Sequence, residues 1–407
     1  MDPGDRPGLL AVTAVPPWPV EDGYSLRAAN LLDQLTKGWD VTVVSPGSAG
    51  GAGPSPPDGL EWRTVKEVPA TTALPWREER SCLSENVGSL ISQENYAAAV
   101  LWSGTEFLAG DLPAFPTAVA DRIDCETLQS WRNRKHSGKL RDQLRGLRRG
   151  IEMAFYERRA LRRMEGIAVT GPDDARWLRT ITAHPRIRVI PNGVRVFPLD
   201  GLPGESDRPL VIFTGVLSYG PNVDAVTYFA REVWPRVRKR VPRAEFRIAG
   251  RNPVPAVEML EREPGVSVYP DVPDLTAAIR RAWLAVAPMR SGSGIKNKVL
   301  EAWAAGRPVV LSELATNGLD LEGEPGEAMR SLVCSDGAEM IEAVVSLLED
   351  APRRRALGRT ARNLAEDRHS WKAAGDRLAD LLRESLPDLF RAGTGKRANL
   401  AKPPDAI

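Results

Sequence analysis

The sequence predicts an α/β protein built from two successive parallel sheets. Short apolar runs alternate with amphipathic helical stretches along nearly all of its 407 residues, which is the pattern of parallel strands joined by crossover helices. The turn-rich segment 195–209 interrupts this rhythm, which then restarts. At roughly 150 residues per domain, the length allows two or three domains. We therefore expect two Rossmann-like domains that face a central cleft.

The N-terminal half contains six predicted strands and two predicted helices. The strands are expected at residues 9–15, 41–45, 98–102, 117–121, 167–170 and 188–190. The helices are expected at 26–35 and 139–163 from apolar residues at three- and four-residue steps. The stretch 45–59 is rich in Gly, Ser and Pro, which predicts a surface loop.

The C-terminal half repeats the alternation. Strands are expected at 210–214, 245–249, 266–269, 284–288, 308–311 and 332–334, and helices at 223–240, 275–282 and from about 338 to 382. The predicted domains are 1–194 and 195–370, followed by a helix at 371–391 that packs back on the first domain and a disordered tail at 392–407. Ligands of open parallel sheets bind at the carboxyl ends of the strands, so the cleft is the expected site.

Charge and composition exclude several classes of protein. The net charge is +2, but residues 132–163 carry 12 basic and only three acidic side chains. Three cysteines and three histidines are too dispersed for a disulfide framework or a metal centre. Neither a signal peptide nor an apolar run of about 18 residues is visible, so a cytoplasmic protein is expected.

The segment 287–312, APMRSGSGIKNKVLEAWAAGRPVVLS, carries the strongest chemical signal. A buried strand leads into a glycine-containing loop, and a helix is expected to open near Ile295. Helix N-termini attract anions, and Lys296 and Lys298 add positive charge in the first turn, which predicts a phosphate site. Glu301, one turn beyond Lys298, could accept hydrogen bonds from ribose hydroxyls. The alternative is a pair of solvated lysines and an exposed helix glutamate.

This segment resembles the nucleotide-sugar signature of the retaining glycosyltransferases of family four, also called group 1, especially the subgroup with a GSGIKNKVLEA-type loop. Further stretches agree in order: VIPNGV (189–194), FTGVLSYGPNVDAVTYF (213–229), FRIAGRNP (246–253) and SWKAAGDRLADLL (370–382). PPWPVEDGYSLRAANLL (16–32) and DRIDCETLQSW (121–131) fit more loosely. The resemblance implies the two-domain GT-B fold and transfer of a sugar, with retention, from a nucleoside-diphosphate sugar to an acceptor hydroxyl.

The resemblance also implies that the enzyme needs no cofactor and no metal, because the nucleotide sugar is a substrate. The expected acceptors are a lipid-linked glycan, a polysaccharide or a small natural product. Two rival functions stay open: a nucleotide-sugar epimerase or hydrolase on the same fold, and a degenerate subunit that binds the nucleotide sugar without turnover.

Donor-site residues carry over only where the motif matches. Glu301 corresponds to the second glutamate of the Glu-x7-Glu motif of the family and would bind the ribose. Ser293 stands where the first glutamate is expected, which leaves the backbone amides of Ser293, Gly294 and Ile295 to hold the sugar hydroxyls. Lys298 and Glu301 are the residues in this loop to which we assign catalytic roles.

Two turns of the C-terminal domain complete the predicted donor site. The usual Arg and Lys pair after the first strand of this domain is absent, and the turn here begins at Gly215. Arg251 follows the strand that ends in Ile248-Ala249-Gly250 and would point into the cleft as a further cation for the diphosphate. A surface arginine in a turn is the alternative for Arg251.

Three residues of the N-terminal half are candidates on the other side of the cleft. Gly23 lies before the first helix, where a glycine either lets the backbone reach the donor phosphates or simply makes a turn. Asp121 ends a strand and would take the proton of the acceptor hydroxyl. Asp124 could act near the acceptor or cap a helix that starts near residue 126.

Three interpretations of the basic block 132–163 are considered. The simplest is a solvated face of a helix that packs on the N-terminal domain. A cationic amphipathic helix also suits peripheral contact with an anionic membrane or a lipid-phosphate-linked acceptor. Nucleic acid is not expected as a partner, because aromatic residues are not interleaved with the basic ones and no matching motif is present.

Overall fold

The computed structural model describes residues 6–20, 23–47, 56, 59–65, 75–112, 115–123, 125, 127–128, 140–292 and 295–386. It contains a seven-stranded sheet and a six-stranded sheet, and all described strand pairs are parallel. This confirms the predicted fold class of two Rossmann-like units. The predicted tail 392–407 and the part of the basic block at 132–139 lie outside the described residues.

The first sheet has the strand order β3-β2-β1-β4-β5-β6-β7. Its strands are β1 (Gly8–Val12), β2 (Asp40–Pro46), β3 (Leu60–Val65), β4 (Ala98–Trp102), β5 (Ala118–Arg122), β6 (Gly166–Val169) and β7 (Ile187–Val189). The helices of this half are α1 (Gly23–Leu35), α2 (Pro75–Gln93), α3 (Leu108–Asp111), α4 (Leu140–Leu161) and α5 (Pro172–Thr182).

The second sheet has the strand order β10-β9-β8-β11-β12-β13. Its strands are β8 (Leu210–Val216), β9 (Glu245–Arg251), β10 (Val266–Pro270), β11 (Leu284–Ala287), β12 (Val309–Ser312) and β13 (Val333–Cys334). The α-helices are α6 (Gly220–Tyr228), α7 (Trp234–Arg240), α8 (Pro255–Glu258), α9 (Leu275–Arg281), α10 (Asn297–Ala304), α11 (Gly323–Arg330), α12 (Gly337–Glu349), α13 (Ala351–Arg368) and α14 (Trp371–Ser385).

The helix predicted at 223–240 is interrupted by a π-helical turn over Phe229–Val233. Pro235 lies in the first turn of the next helix, and a proline has no N–H to continue an α-helical hydrogen-bond ladder. The wider turn brings the Trp234 ring inward, where its Nε1 donates to the Pro264 carbonyl at 3.1 Å. The spacing of apolar residues in the sequence could not predict this change from an α-helix to a π-helical turn.

The first sheet is covered on both faces. Leu9 and Ala11 pack with α1 on one face, whereas Leu10 and Val12 pack with a second cluster on the other. This alternation follows from the two-residue period of a strand. The carboxyl ends of such strands point to one edge of the sheet, which is where the site residues follow.

The last described helix, α14, packs against the first sheet although it follows the second one. Its residues Trp371, Leu378 and Leu381 belong to the same buried cluster as Leu9. A β-carbon on Gly375 would lie 2.3 Å from Cβ of Gln34, so α14 and α1 approach closely. The chain therefore passes between the sheets twice; the domain limits 1–194 and 195–370 themselves stay a prediction.

The two passages lie side by side. The N–H of Val194 donates to the His369 carbonyl at 2.6 Å, and Val194 pairs with Ser370 in an isolated parallel bridge. The Ser370 side chain then accepts a hydrogen bond from Ala373 N–H and caps α14. Gly193 fits only because it has no side chain.

Replacing Gly193 by alanine should destabilise the protein. The added β-carbon would lie 2.4 Å from the Trp371 nitrogen, and overpacking of this kind costs about 1–3 kcal/mol. We expect a lower Tm by calorimetry. Gly38→Ala is the control, because a β-carbon there meets nothing within 4 Å. Equal Tm values for the two variants would contradict the close passage.

Candidate active site

Three strands of the second sheet end at the predicted donor site. Gly215 lies near the end of β8, Arg251 ends β9, and β11 ends at Ala287. The backbones of β8 and β9 meet closely, since a β-carbon on Gly250 would lie 1.7 Å from the Gly215 oxygen. Glycine at both positions therefore lets the two strand ends come together beside the glycine-containing loop that follows β11, called the donor loop below.

The donor loop is fixed at its base. After β11, the Met289 carbonyl accepts a hydrogen bond from the Ser312 hydroxyl at 2.6 Å. Ser293 and Gly294, two predicted sugar contacts, lie outside the described residues. Ile295 is half-buried, and its Cβ lies 3.1 Å from the place of a β-carbon on Gly318, so this side of the loop packs against the segment that follows β12.

The helix of the donor loop begins at Asn297 rather than near Ile295, so the predicted start was two residues early. Lys296 is its N-cap residue, in extended conformation. Its side chain is buried, and its Nζ donates to the Gly292 carbonyl at 3.4 Å. Lys298 is therefore in the first turn, and Glu301 follows one turn later, as the spacing requires.

The Lys298 ammonium group lies inside the site rather than in solvent. Its Nζ donates to Asn222 Oδ1 at 2.5 Å, lies 3.8 Å from the Met289 sulfur and lies 4.2 Å from the centroid of the Phe213 ring. A β-carbon on Gly215 would lie 3.2 Å from Nζ. The structure thus brings together Gly215 and Lys298, which are 83 positions apart in the sequence.

Burial controls the charges of this pair of helix residues. It lowers the pKa of Lys298 to about 7, and the neighbouring Glu301 carboxylate only partly opposes this shift. Burial raises the pKa of Glu301, against the effect of Lys298. No described residue donates a hydrogen bond to the Glu301 carboxylate. A ligand that supplies an anion to the amine and hydrogen-bond donors to the carboxyl group would stabilise the charged forms of both residues.

For Arg251 and Gly23, the structure shows a position but no side-chain contact that would assign a function. The Arg251 carbonyl accepts a hydrogen bond from Leu217 N–H at 2.7 Å, and its guanidinium group is exposed at the end of β9. Gly23 is the first residue of α1, and a β-carbon there would meet nothing within 4 Å. Space alone therefore does not require glycine at position 23.

Asp121 has a partner that sequence reasoning missed. Its carboxylate is fully buried and accepts bonds from Arg27 Nε at 2.9 Å and from the terminal Arg27 nitrogen at 2.8 Å. The other Arg27 nitrogen donates to Asn192 Oδ1 at 3.0 Å. The function of Asp121 as a base stays a prediction, and this buried ion pair is what the structure shows. Asp124 lies outside the described residues.

A second buried ion-pair network holds the next residue of β5. Arg122 donates to Glu106 at 2.8 Å and to Glu157 of α4 at 2.7 Å. The same Glu157 carboxylate accepts the Thr127 hydroxyl at 2.5 Å and the Cys125 thiol at 3.5 Å. The inner face of α4 thus anchors the segment that follows β5.

The apolar residues of α4, which recur at three- and four-residue steps, were expected to pack on the first domain, but some of them lie on its outer face. Ile151 and Phe155, two members of its apolar stripe, are 49% and 71% exposed. Arg148, Arg158 and Arg159 are exposed beside them. The reason is that Glu157 and Leu161 face the core, which turns part of the apolar stripe outward.

The part of the chain that the structure describes offers neither a metal centre nor a membrane-spanning helix. It contains no group of three or more His, Cys, Asp and Glu side chains arranged to hold a metal ion. Similarly, none of its helices is long and apolar enough to cross a membrane.

The geometry defines a class of protein: two Rossmann-like sheets with cationic and carboxylate side chains at the strand ends of the second one, as in GT-B glycosyltransferases. Two family models match. Residues 22–193 match the glycosyl transferase 4-like domain, and residues 208–350 match glycosyl transferases group 1. The two matches follow one another along most of the chain. It belongs to the group 1 glycosyltransferases.

Solved structures share the fold at low identity. WaaG, a glycosyltransferase of lipopolysaccharide biosynthesis, is 14% identical with a TM-score of 0.61, over 92% of this chain and 99% of its own. Anabaena HepE in complex with UDP is 12% identical with a TM-score of 0.61, over 93% and 100%. A glycosyltransferase from Rickettsia africae is 8% identical with a TM-score of 0.63, over 94% and 100%. No curated protein sequence matches this chain.

Replacing Asp121 by asparagine should strongly destabilise the first domain. The Arg27 guanidinium group would stay buried without a counter-charge, which typically costs about 3–5 kcal/mol. Urea unfolding measures the loss. Asp33→Asn, at an exposed position of α1, changes the charge equally and should cost little. The double variant Arg27→Leu/Asp121→Leu should recover much of the stability, and an Asp121→Asn variant as stable as the control would contradict the pairing.

Proposed function

We propose that the chain transfers a sugar, with retention and without a metal ion, from a nucleoside-diphosphate sugar bound at the carboxyl edge of the second sheet. The observation that carries this proposal is the half-buried Lys298 side chain, whose amine lies beside Gly215 with a neutral amide as its hydrogen-bond partner. A cation withdrawn from water without a bonded carboxylate is costly. A diphosphate would supply the missing charge.

The proposed chemistry is electrostatic. As the bond between the sugar and the diphosphate breaks, the leaving oxygen gains negative charge, which Lys298, Lys296 and the N-terminus of α10 would stabilise. Glu301 would accept hydrogen bonds from the ribose hydroxyls, and the loop amides at residues 293–295 would hold the sugar. Arg251 would add a further cation to the diphosphate, and Gly23 would let the backbone approach it from the first domain. Asp121 and Asp124 would act on the acceptor side.

Lys298→Ala and Glu301→Gln should weaken binding of the nucleoside diphosphate that stabilises the wild-type protein most in a thermal-shift series of UDP, GDP, ADP, CDP and dTDP. Loss of a hydrogen bond to a charged group costs about 1.5–3 kcal/mol, so titration calorimetry should show affinity reduced about 10- to 150-fold. Lys239→Ala removes an exposed lysine of α7 and is the control. Wild-type affinity in both site variants would reject the assigned site.

Turnover separates the rival functions. A transferase should release little nucleoside diphosphate from the donor until an acceptor is added, whereas an epimerase or hydrolase would consume the donor alone. Binding of the donor without turnover over a broad acceptor series would favour the degenerate subunit. Because lysines supply the proposed charge, transfer should persist in EDTA, and the anomeric configuration of the product reports retention.

We also propose that α4 places this enzyme at an anionic membrane, where a lipid-linked acceptor would be available. Arg148, Ile151, Phe155, Arg158 and Arg159 are exposed and recur at three- and four-residue steps, so they share one face of the helix. Exposed apolar side chains flanked by arginines suit insertion at the boundary of headgroups and acyl chains. The protein would then be cytoplasmic and peripheral at the membrane.

The variant Arg158→Ala/Arg159→Ala should lose affinity for vesicles that contain phosphatidylglycerol. Each arginine near an anionic surface contributes about 1 kcal/mol, so we expect binding to fall roughly 30-fold in a sedimentation assay, while nucleoside-diphosphate binding is unchanged. Arg176→Ala, on an exposed position of α5, should bind as the wild type does. Equal binding of wild type to neutral phosphatidylcholine vesicles would exclude charge as the reason.

A further inference from the structure

Asn222 connects the first turn of α6 to the Lys298 amine. It is buried, its Nδ2 donates to the Val216 carbonyl at 2.9 Å, and its Oδ1 accepts from Lys298 Nζ at 2.5 Å. The donor half of the amide is thus occupied by the backbone of β8, which fixes the oxygen towards the amine. A β-carbon on Gly215 would lie 2.8 Å from Asn222 Nδ2, so the glycine is part of the same arrangement.

Three neighbouring elements each offer the amine a neutral group. Strand β8 supplies the Phe213 ring, α6 supplies the Asn222 amide, and the segment after β11 supplies the Met289 thioether. The charged groups that act on the Lys298 amine are Glu301 on its own helix and Lys296 just before it, and they oppose each other. An amide oxygen can accept from either the neutral amine or the ammonium ion.

We propose that Asn222 is a positioning residue that holds Lys298 ready to take up a proton when a diphosphate binds, so that donor binding is coupled to protonation of this lysine. The inference rests on the proposed donor site, which it deepens. A carboxylate in place of Asn222 would keep Lys298 permanently charged and would compete with the phosphate. An amide orients the amine without this competition.

The coupling has a defined direction. In the free site the pKa of Lys298 is about 7, so at pH 8.5 the amine is mostly neutral, and at pH 6 it is mostly charged. A bound diphosphate favours the ammonium ion and raises its pKa. Binding at pH 8.5, where the terminal phosphate with its second pKa of about 6 is fully ionised, should therefore take up close to one proton, whereas the lysine should take up almost none at pH 6. Affinity should fall about tenfold per pH unit above pH 7 until the pKa of the complex is reached.

Titration calorimetry in two buffers that differ in ionisation enthalpy counts these protons, with the best-binding nucleoside diphosphate of the five as the probe. Lys298→Met should abolish the uptake at pH 8.5, which assigns the proton. Asn222→Asp should also abolish it, because its carboxylate keeps the lysine charged, and should lower affinity at least tenfold even at pH 6. Asn363→Asp, on an exposed position of α13, makes the same change of charge and should behave as the wild type does.

The outcomes separate the two levels of the proposal. If none of the five nucleoside diphosphates binds the wild-type protein, the proposed donor site is wrong. If one binds but the wild type takes up no proton at pH 8.5, or if Asn222→Asp keeps wild-type uptake and affinity, the function assigned to Asn222 is wrong. Should Asn222→Asp fail to fold, as seen in its thermal unfolding, Asn222→Ser tests the same point. Serine leaves the lysine without its fixed acceptor and should raise Kd several-fold without adding a charge.

Discussion

The contact between the two passages of the chain determines how the two sheets can be arranged. Val194 donates its N–H to the His369 carbonyl, and Gly193 leaves no room for a side chain beside Trp371. The His369 ring is buried and accepts a hydrogen bond from Asp320 N–H at 3.1 Å. Burial lowers its pKa to about 4, so the ring stays neutral near pH 7 and keeps this acceptor. The two passages of the chain between the sheets are therefore held to each other at this one place.

The carboxyl edge of the second sheet, where the donor site is proposed, also depends on a few specific contacts. Three neutral groups from three separate elements surround the Lys298 amine, so its position is set by packing and by one amide rather than by a counter-ion. A salt bridge would have stabilised the empty site and weakened the filled one, because the ligand would have to displace it. In the proposed donor site, the free protein thus gives up some stability in favour of a cation that is available to the diphosphate.

Sequence patterns predicted the sheets well and the side-chain partners poorly. Alternating apolar runs are a direct consequence of strands that are buried on both faces, so most strand ends lie within a few residues of the prediction. Strand β3 and three helices of the first half, α2, α3 and α5, were missed. Strand β3 is an edge strand with half-buried polar residues, which gives no apolar run. Asn222 lay within a recognised stretch, but its partner is 76 residues away, and periodicity carries no information on such a distance.

The first domain shows why a charged residue at a strand end is weak evidence for catalysis. Asp121 and Arg122 end β5 in adjacent positions, and their side chains leave the strand on opposite faces. Each finds a buried partner of opposite charge: Arg27 on α1 for the aspartate, Glu106 and Glu157 for the arginine. Paired charges inside a protein add little net stability but penalise any other arrangement strongly. These pairs therefore fix α1 and α4 on either side of the strand end.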